Sequence, residues 1–467
     1  MADAIAHESL PVVVYSAFVG LLAVLVPQLL SSDGWLALVS GRLIAHHGVP
    51  RHDTLAALTG GRHWIDQQWL GQLGAYGLDR AGGIRLLLAV NVLLVAGAFV
   101  AAGVYARRRG ARPATLALVL LAALLPFLVT AMNVRTQSFV YLPFVALVAI
   151  LVRPQLTRRD VVLLLAGLIV WANVHGSALL AAGLIVLRGA FELKRARRSS
   201  TGLILVLAPL PCLLVSPYHV HLLSYYHRTA FNASFATYLS QWAPTTFSPI
   251  SAPLLILVFG VVWMLGRAAS SYTAFERSVL VVGALLALLA VRNWAFASLL
   301  LVMLAPPGFD RALRRRAPRP APAVGAIVAA VAAVAALTSV VSALGATDAK
   351  LTRSYPAGVA EAAARAASTP GAQVYAGVQF GDWLLWTHPE LAGKIVFDVR
   401  YELLRDAEVK RLVLFDAGTQ TKAPLGAPVA YVLDPTTEKD ALRGLRPAVR
   451  TVYETDHAVV AVARNGQ

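Results

Sequence analysis

Long apolar runs, one after another, decide what this chain can become. A helix needs roughly 20 apolar residues, rising about 1.5 Å each, to cross the hydrocarbon core of a bilayer. Runs of that kind lie near 11–31, 83–106, 113–132, 136–152, 160–174, 176–191, 202–216, 249–266, 277–291, 293–307 and 322–345, about eleven in all. Of the 467 residues 58% are hydrophobic and only 14% charged, which excludes a soluble globular protein. The predicted fold class is an α-helical polytopic membrane protein.

Charge then sets the orientation. A formal net charge of +17 would suggest nucleic acid for a soluble chain, but here the basic residues gather in short segments between apolar runs. That pattern reports topology and makes membrane lipids, not nucleic acid, the expected partner. A cytoplasmic N-terminus places 107–112, 153–159, 194–198, 267–277 and 311–319 inside, and these hold nearly all the dense basic clusters. The opposite orientation would put every one of them outside. The first residues lack a basic region and a cleavage site, so the first run is expected to remain as a span. The lone cysteine, Cys212, lies in an apolar run and is expected to pack, since one cysteine makes no intramolecular disulfide.

Two parts follow from composition: a transmembrane part over 1–347 and an extracytoplasmic α/β domain over 348–467, joined near a Pro/Arg-rich linker at 314–323. In the tail, strand-like runs at 373–376, 394–399, 428–434 and 458–464 alternate with helical stretches near 356–367, 402–415 and 436–444, and 449–453 may be added as a further strand. The alternation predicts a small, mostly parallel sheet. The first external loop, 31–82, carries two amphipathic pieces split by Gly48, Pro50, Gly60 and Gly61. Trp35, Leu38, Val39 and Ile44 share a face of the first piece, and Ile65, Trp69, Leu73 and Tyr76 a face of the second, so both are expected as juxtamembrane helices.

Polar residues at the ends of spans are the candidates for chemistry. Asp33 opens the first loop, where a carboxylate so close to the bilayer is costly without a task or a partner. It could accept a proton from an acceptor hydroxyl or cap the helix that begins beside Ser31 and Ser32. Asp53 and Asp66 follow among His46, His47, His52 and His63. Arg135 and Arg292 end two different spans, and their guanidinium forks match phosphate oxygens; a single interfacial arginine could equally snorkel to headgroups. Asn173 and His175 interrupt an apolar stretch too long for one crossing and must mark a turn. His175 could be an acid, a phosphate donor, a metal ligand or a polar turn residue. Gln241 and Trp242 pair an amide with an aromatic ring, suited to a sugar face or to membrane anchoring.

His219 and His221 have a spacing that invites zinc, but no cysteine or HExxH supports it, so no metal residues are assigned and a divalent cation stays an open possibility. No Walker motif, GxGxxG after a strand or GxSxG is present, and the spans hold almost no acids of the kind coupled transporters use. Surface chemistry is therefore favoured over transport.

Several of these residues form a pattern. It runs through Asp33, Trp35 and Gly41; Pro50, Arg51 and Asp53; Thr59-Gly60 and Trp64; Gln68-Trp69-Leu70; Arg135 with Gln137; Trp171-Ala172-Asn173 with His175-Gly176; and Ser216-Pro217-Tyr218. The tail adds Phe380-Gly381-Asp382-Trp383-Leu384 and Phe397-Asp398-Val399-Arg400. As an ensemble over nearly the full length it resembles the C-type (GT-C) superfamily of membrane glycosyltransferases, within it a bacterial group of mannosyltransferase-like integral membrane proteins. In two places the chain departs from that group: Leu36-Ala37 stands where a Trp-His pair is frequent, and Gln68 where an acid is frequent.

The resemblance implies an inverting transfer from a polyprenyl-phosphate sugar to a glycan, lipid or protein acceptor outside a bacterial inner membrane. Asp33 would be the base and Asp53 its substitute or a metal partner. Arg135, His175 and Arg292 would hold the lipid phosphate, and Asn173, Trp69, Gln241 and Trp242 would contact substrate. The rivals are a non-catalytic scaffold for envelope or polysaccharide assembly and a lipid-linked sugar flippase or ligase.

Overall fold

The structure, a computed structural model, describes residues 8–230, 232–313, 322–419 and 428–464. The residues before Glu8 and the expected linker through 321 lie outside them. The chain divides into two compact units, one of Met1–Val26, Leu88–His219 and Ser240–Ala346, the other of Pro27–Leu87, Val220–Leu239 and Thr347–Gln467.

The first unit is helical and apolar. Among the described residues five helices are long and apolar enough to cross a membrane: Ser9–Gln28, Trp69–Arg108, Pro113–Ala131, Ala252–Ser271 and Val324–Leu344. A sixth candidate, Val291–Leu304 with Pro306–Leu313, bends by 51°. The other expected spans correspond to shorter helices, Ser138–Leu151, Arg158–Val174, Ala178–Arg195 and Ala274–Leu289, or to the broken pair Ser200–Leu207 and Pro209–Leu213. A helix of 14 residues reaches only about 21 Å at 1.5 Å per residue, short of a full crossing of about 30 Å.

Local chemistry sets these ends. Thr157 with Asp160 and Thr273 with Glu276 form capping boxes, satisfying amide donors that a helix start leaves open. Pro113 starts its helix where a missing N–H costs nothing. The helix Trp294–Leu304 is buried along its whole length, as a sequence apolar on every side requires. A series of rings leads to it: Phe18 on Phe99 at 4.5 Å, Phe99 on Phe127 at 5.2 Å, Phe127 on Tyr141 at 5.8 Å and Tyr141 on its Phe296 at 5.6 Å.

The second unit holds the sheet: β1 (Val374–Ala376), β2 (Ala430–Leu433), β3 (Val449–Glu454) and β4 (Val459–Ala463), in the order β1-β2-β4-β3. The β1–β2 pair is parallel, but β2–β4 and β3–β4 are antiparallel, so the sheet is mixed and not mostly parallel. The short turn after β3, with Thr455 N donating to Ala458 O at 2.9 Å, leaves no room for a crossover and forces a hairpin. The expected strand at 394–399 is reduced to bridges: Ile395 pairs with Val374 on one side and with Ala56 on the other. The first loop thereby continues the tail's sheet, with Ala57 N donating to Ile395 O at 2.7 Å and Leu58 N to Val396 O at 3.0 Å.

The first loop's leading helix is Ser32–His47, ended by Gly48 at φ +79°. Its expected face, Trp35, Leu38, Val39 and Ile44, is buried, and so are Leu36, Ala37 and Ser40 behind it. The helix is therefore embedded in protein along its first half. The second piece differs from expectation. Ile65 precedes the helix that begins at Trp69, and the buried positions in its first turns are Gly71, Gln72 and Ala75, while Trp69, Leu73 and Tyr76 are half-buried. Gly41 is the reason: a Cβ there would lie 2.3 Å from Gln72 O and 2.6 Å from Tyr76 Cβ, so the two helices cross almost backbone to backbone. Gly82 and Gly83 then break the long helix, Gly83 at φ +68°.

Gly41→Ala should consequently cost about 1–3 kcal/mol through overpacking. Thermal unfolding of the purified protein in detergent should show a lowered midpoint, and an unchanged midpoint would contradict the close crossing.

Candidate functional site

In the second unit Arg400 is the centre of a buried ion cluster. Its Nε donates to Asp398 Oδ1 at 2.9 Å and its Nη2 to Asp53 Oδ1 at 2.7 Å, with a further bond to Asp398 Oδ2. Its side chain is 1% exposed and that of Asp53 0%. The guanidinium carbon sits 4.2 Å over the Trp64 ring, a face that favours a cation stripped of water. Asp53 is fully engaged: Oδ1 also accepts from Leu55 N at 2.9 Å, and Oδ2 accepts from the Thr59 hydroxyl. Backbone bonds between Asp53 and Arg62 and from Gly61 N to Asp53 O fold the loop back on itself, with Gly61 at φ +75°. With both oxygens taken and no exposed surface, Asp53 anchors the loop. The expected role of substitute base or metal partner does not fit that geometry.

A second ion pair secures the same loop, Arg62 to Glu408 at 2.7 and 2.8 Å in bidentate form. Arg42 closes the helix Gly381–Thr387 by donating to Leu385 O at 2.6 Å and Trp386 O at 3.0 Å. Trp35 meets Tyr355 edge-on at 5.2 Å, and Tyr355 lies 5.4 Å from Trp383.

Asp33 occupies the first turn of its helix and is half-buried, a place where a carboxylate complements the helix dipole. Its charge reaches Asp382 and Glu402. Burial first, and then Asp398, hold Asp382 well above the usual carboxylate range. Asp66 is also buried, its Oδ2 without a hydrogen bond, and burial pushes its pKa up to about 7 against the opposing pull of Arg400. The expected sugar contact Trp69 is half-buried at the start of its helix.

The first unit assembles the other expected residues. Arg135 Nη1 donates to Gln241 Oε1 at 3.1 Å, and Arg292 lies 3.6 Å over the Trp242 ring. The segment carrying Gln241 and Trp242 is pinned along the end of the helix Ala274–Leu289 and the turn after it. Arg292 N donates to Gln241 O at 2.9 Å, Val291 N to Ala243 O at 3.2 Å and Thr245 N to Leu288 O at 3.0 Å, and the Trp294 indole donates to Thr245 Oγ1 at 2.8 Å. Asn173 is buried and its amide nitrogen donates to Ile169 O and Val215 O, so it ties a turn to a neighbouring segment.

His175 ends the helix Arg158–Val174 in extended conformation. Its Nδ1 accepts the Ser177 backbone N–H at 3.1 Å and faces the Ser177 hydroxyl at 2.9 Å, itself an acceptor from the Trp171 indole at 3.0 Å. A backbone amide can only donate, so Nδ1 carries no proton and the neutral ring is protonated at Nε2. Burial first, then Arg292 and Arg135, hold the imidazole well below its ordinary pKa. His175 is thus a neutral Nε2–H donor and not an acid, beside two guanidinium groups. Such a set can receive a phosphate. Ser177, which fixes that tautomer, has no signal in the sequence beyond its place after a polar turn. Among the described residues no group of three or more His, Cys, Asp or Glu side chains is arranged to hold a metal ion.

Comparison with known proteins gives a fold. No family model matches the chain, and no curated protein matches it. Among solved structures, the apo Archaeoglobus fulgidus oligosaccharyltransferase is similar at a TM-score of 0.50 and 9% identity, over 97% of this chain and 74% of that one. ArnT from Cupriavidus metallidurans, apo and bound to undecaprenyl phosphate, is similar at TM-scores of 0.48 and 0.42, each at 16% identity over 96% of this chain and 97% of that one. The likeness to the oligosaccharyltransferase is one of fold alone.

Two outcomes are expected from the buried cluster. Arg400→Met, which leaves Asp53 and Asp398 buried without their cation, should cost about 3–5 kcal/mol, and adding Asp53→Asn should recover part of it; denaturant titration of the three proteins reads both. Asp66, whose folded pKa of about 7 lies above the unfolded value near 4, makes the folded state bind more protons. Stability should therefore fall as pH rises through that interval. In Asp66→Asn the fall should flatten when unfolding midpoints are compared across the same range.

Proposed function

We propose that this membrane protein is a glycosyltransferase that moves a sugar from a polyprenyl-phosphate donor to an acceptor at the external face of a bacterial inner membrane, with its N-terminus cytoplasmic. The observation that carries the reading is the anion-receptive set of the first unit, Arg135 and Arg292 beside the neutral Nε2–H of His175. Phosphate is the group that two guanidinium forks and one further donor suit best. The reading rests on this set of residues and not on the fold, because one fold hosts many activities.

In the proposed reaction the Asp33 carboxylate takes the proton of the acceptor hydroxyl. The acceptor oxygen forms its bond to the anomeric carbon as the bond from that carbon to the phosphate oxygen breaks. The configuration inverts and the polyprenyl phosphate leaves with the electron pair. Arg135, Arg292 and His175 Nε2–H meet the charge growing on that phosphate, which is where preorganised donors lower a barrier most. Trp242 holds the Arg292 plane from below and Gln241 holds Arg135, so the forks are oriented before substrate arrives. Asp53 and Arg400 position the first loop, and Trp69 contacts the sugar or the acceptor. A scaffold would have no need of cations oriented by neighbouring side chains, Gln241 for Arg135 and Trp242 for Arg292.

Turnover of a radiolabelled polyprenyl-phosphate sugar should fall about 100-fold or more in Asp33→Asn and in Arg292→Ala. Membranes carrying each variant at wild-type abundance supply the measurement, and undiminished transfer in both would remove these roles. Product analysis separates transfer from flipping, since a flippase returns its lipid-linked sugar unchanged.

A further inference from the structure

A basic basin lies in the second unit, apart from the Arg400 cluster. It encloses about 500 Å³ and is lined by Arg62, His63, Arg228, Asn232, Arg405 and Asp406 over a floor that includes Leu403. That volume is within the range of roughly 300–1,000 Å³ typical of small-molecule sites. The lining comes from separated segments: the first loop, the helix His221–Ala230 with the turn after it, and the start of the helix Asp406–Asp416.

The cations are placed by bonds made elsewhere. Arg62 is held by Glu408 and by Leu403 O at 2.8 Å, and Arg228 Nη1 donates to Glu402 O at 3.2 Å. Arg405 begins the helix Asp406–Asp416, its backbone N donating to Glu408 Oε2 at 2.7 Å. That helix start adds its partial positive charge to the same place. Asn232 uses its Oδ1 to accept from Ser234 N and Phe235 N, so its amide nitrogen is the end left for a ligand. Set against Asp406 and Glu408, the arginines still leave a net cation beside a histidine cluster in which His63 lies 6.0 Å from His52 and 5.9 Å from His221.

We propose that this basin is a second oxyanion site, one that takes a phosphate monoester or diphosphate group. Arg62 is held by Glu408 and Leu403 O and adds charge only; the forks of Arg228 and Arg405, from separate segments, ask for a ligand with several acceptor oxygens pointing in different directions, which phosphate has and a single carboxylate lacks. The group could belong to a lipid headgroup or to a soluble phosphate. The proposal stands independently of the donor role given to Arg135 and Arg292.

The site should also respond to pH. Burial first, then His221, His52, Arg51 and Arg228, hold the His63 imidazole below its ordinary value, and Arg62, Arg405 and Asp406 line the same basin. A bound anion opposes that depression and raises the pKa of His63. Binding then takes up a proton, and affinity rises as pH falls.

The test uses the full chain in phosphatidylcholine nanodiscs, carrying Arg135→Ala and Arg292→Ala so that no signal comes from those residues. Calorimetric titration with inorganic pyrophosphate, and separately with dihexanoyl phosphatidic acid, should give saturable binding. Affinity should weaken about ten-fold in Arg228→Gln and again in Arg405→Gln, two exposed positions, and the gain in affinity at low pH should be smaller in His63→Ala than in the parent. Tighter binding of the lipid assigns a headgroup, and equal binding assigns a soluble phosphate. Saturation by neither probe overturns the proposal, and so does binding that Arg228→Gln and Arg405→Gln leave unchanged while their melting curves match the parent.

Discussion

One guanidinium holds the second unit in register. Arg400 bridges Asp398, two residues away, and Asp53, 347 residues away, in a place where none of the three side chains is more than 3% exposed. Stripping three charges of water is costly, and their mutual attraction offsets that only when geometry and hydrogen bonding are close to ideal. Here the remaining lone pairs of Asp53 are satisfied by Leu55 N and Thr59 and Trp64 covers the face of Arg400, whose Nη1 alone makes no hydrogen bond. The loop can reach this arrangement only if Gly61 takes its positive φ and Asp53 pairs with Arg62 through the backbone. The ion cluster, the hairpin and the extension of the sheet by Ala57 and Leu58 are thus one cooperative structure.

Acids crowd the same region. Asp33, Asp66, Asp382, Asp398 and Glu402 are near enough to influence one another or Arg400, and burial keeps Asp382 and Asp66 above the usual carboxylate range. Carboxyls held protonated can donate hydrogen bonds, whereas ionised ones only accept.

The first unit solves a different problem. Its spans are apolar, so polar chemistry can stand only at their ends, where turns expose backbone donors and break the helical ladder. His175, Arg135 and Arg292 all sit at such ends; His175 is oriented by Ser177 of its own turn through a hydrogen bond, Arg135 by the Gln241 amide and Arg292 by the Trp242 ring of another segment. Orientation before binding is what separates an anion site from arginines that merely reach for headgroups.

The sequence by itself determined the membrane class, because length and apolarity alone decide whether a helix can lie in lipid. It also marked Gly48 as a helix end, the tail's helices, and Asp33, Arg135, His175 and Arg292 as polar residues at the ends of spans. Tertiary structure decided the rest. Gly41 reads as a flexible residue until Gln72 O lies where its Cβ would be, and that crossing turned the second helix away from its most apolar face. Asp53 reads as a substitute base or metal partner until Arg400 and Thr59 occupy it. The tautomer of His175 depends on the direction of one backbone N–H, and the mixed sheet on a turn too short for a crossover. Periodicity encodes which residues avoid water, but a partner hundreds of residues away is chosen by geometry that no local pattern carries.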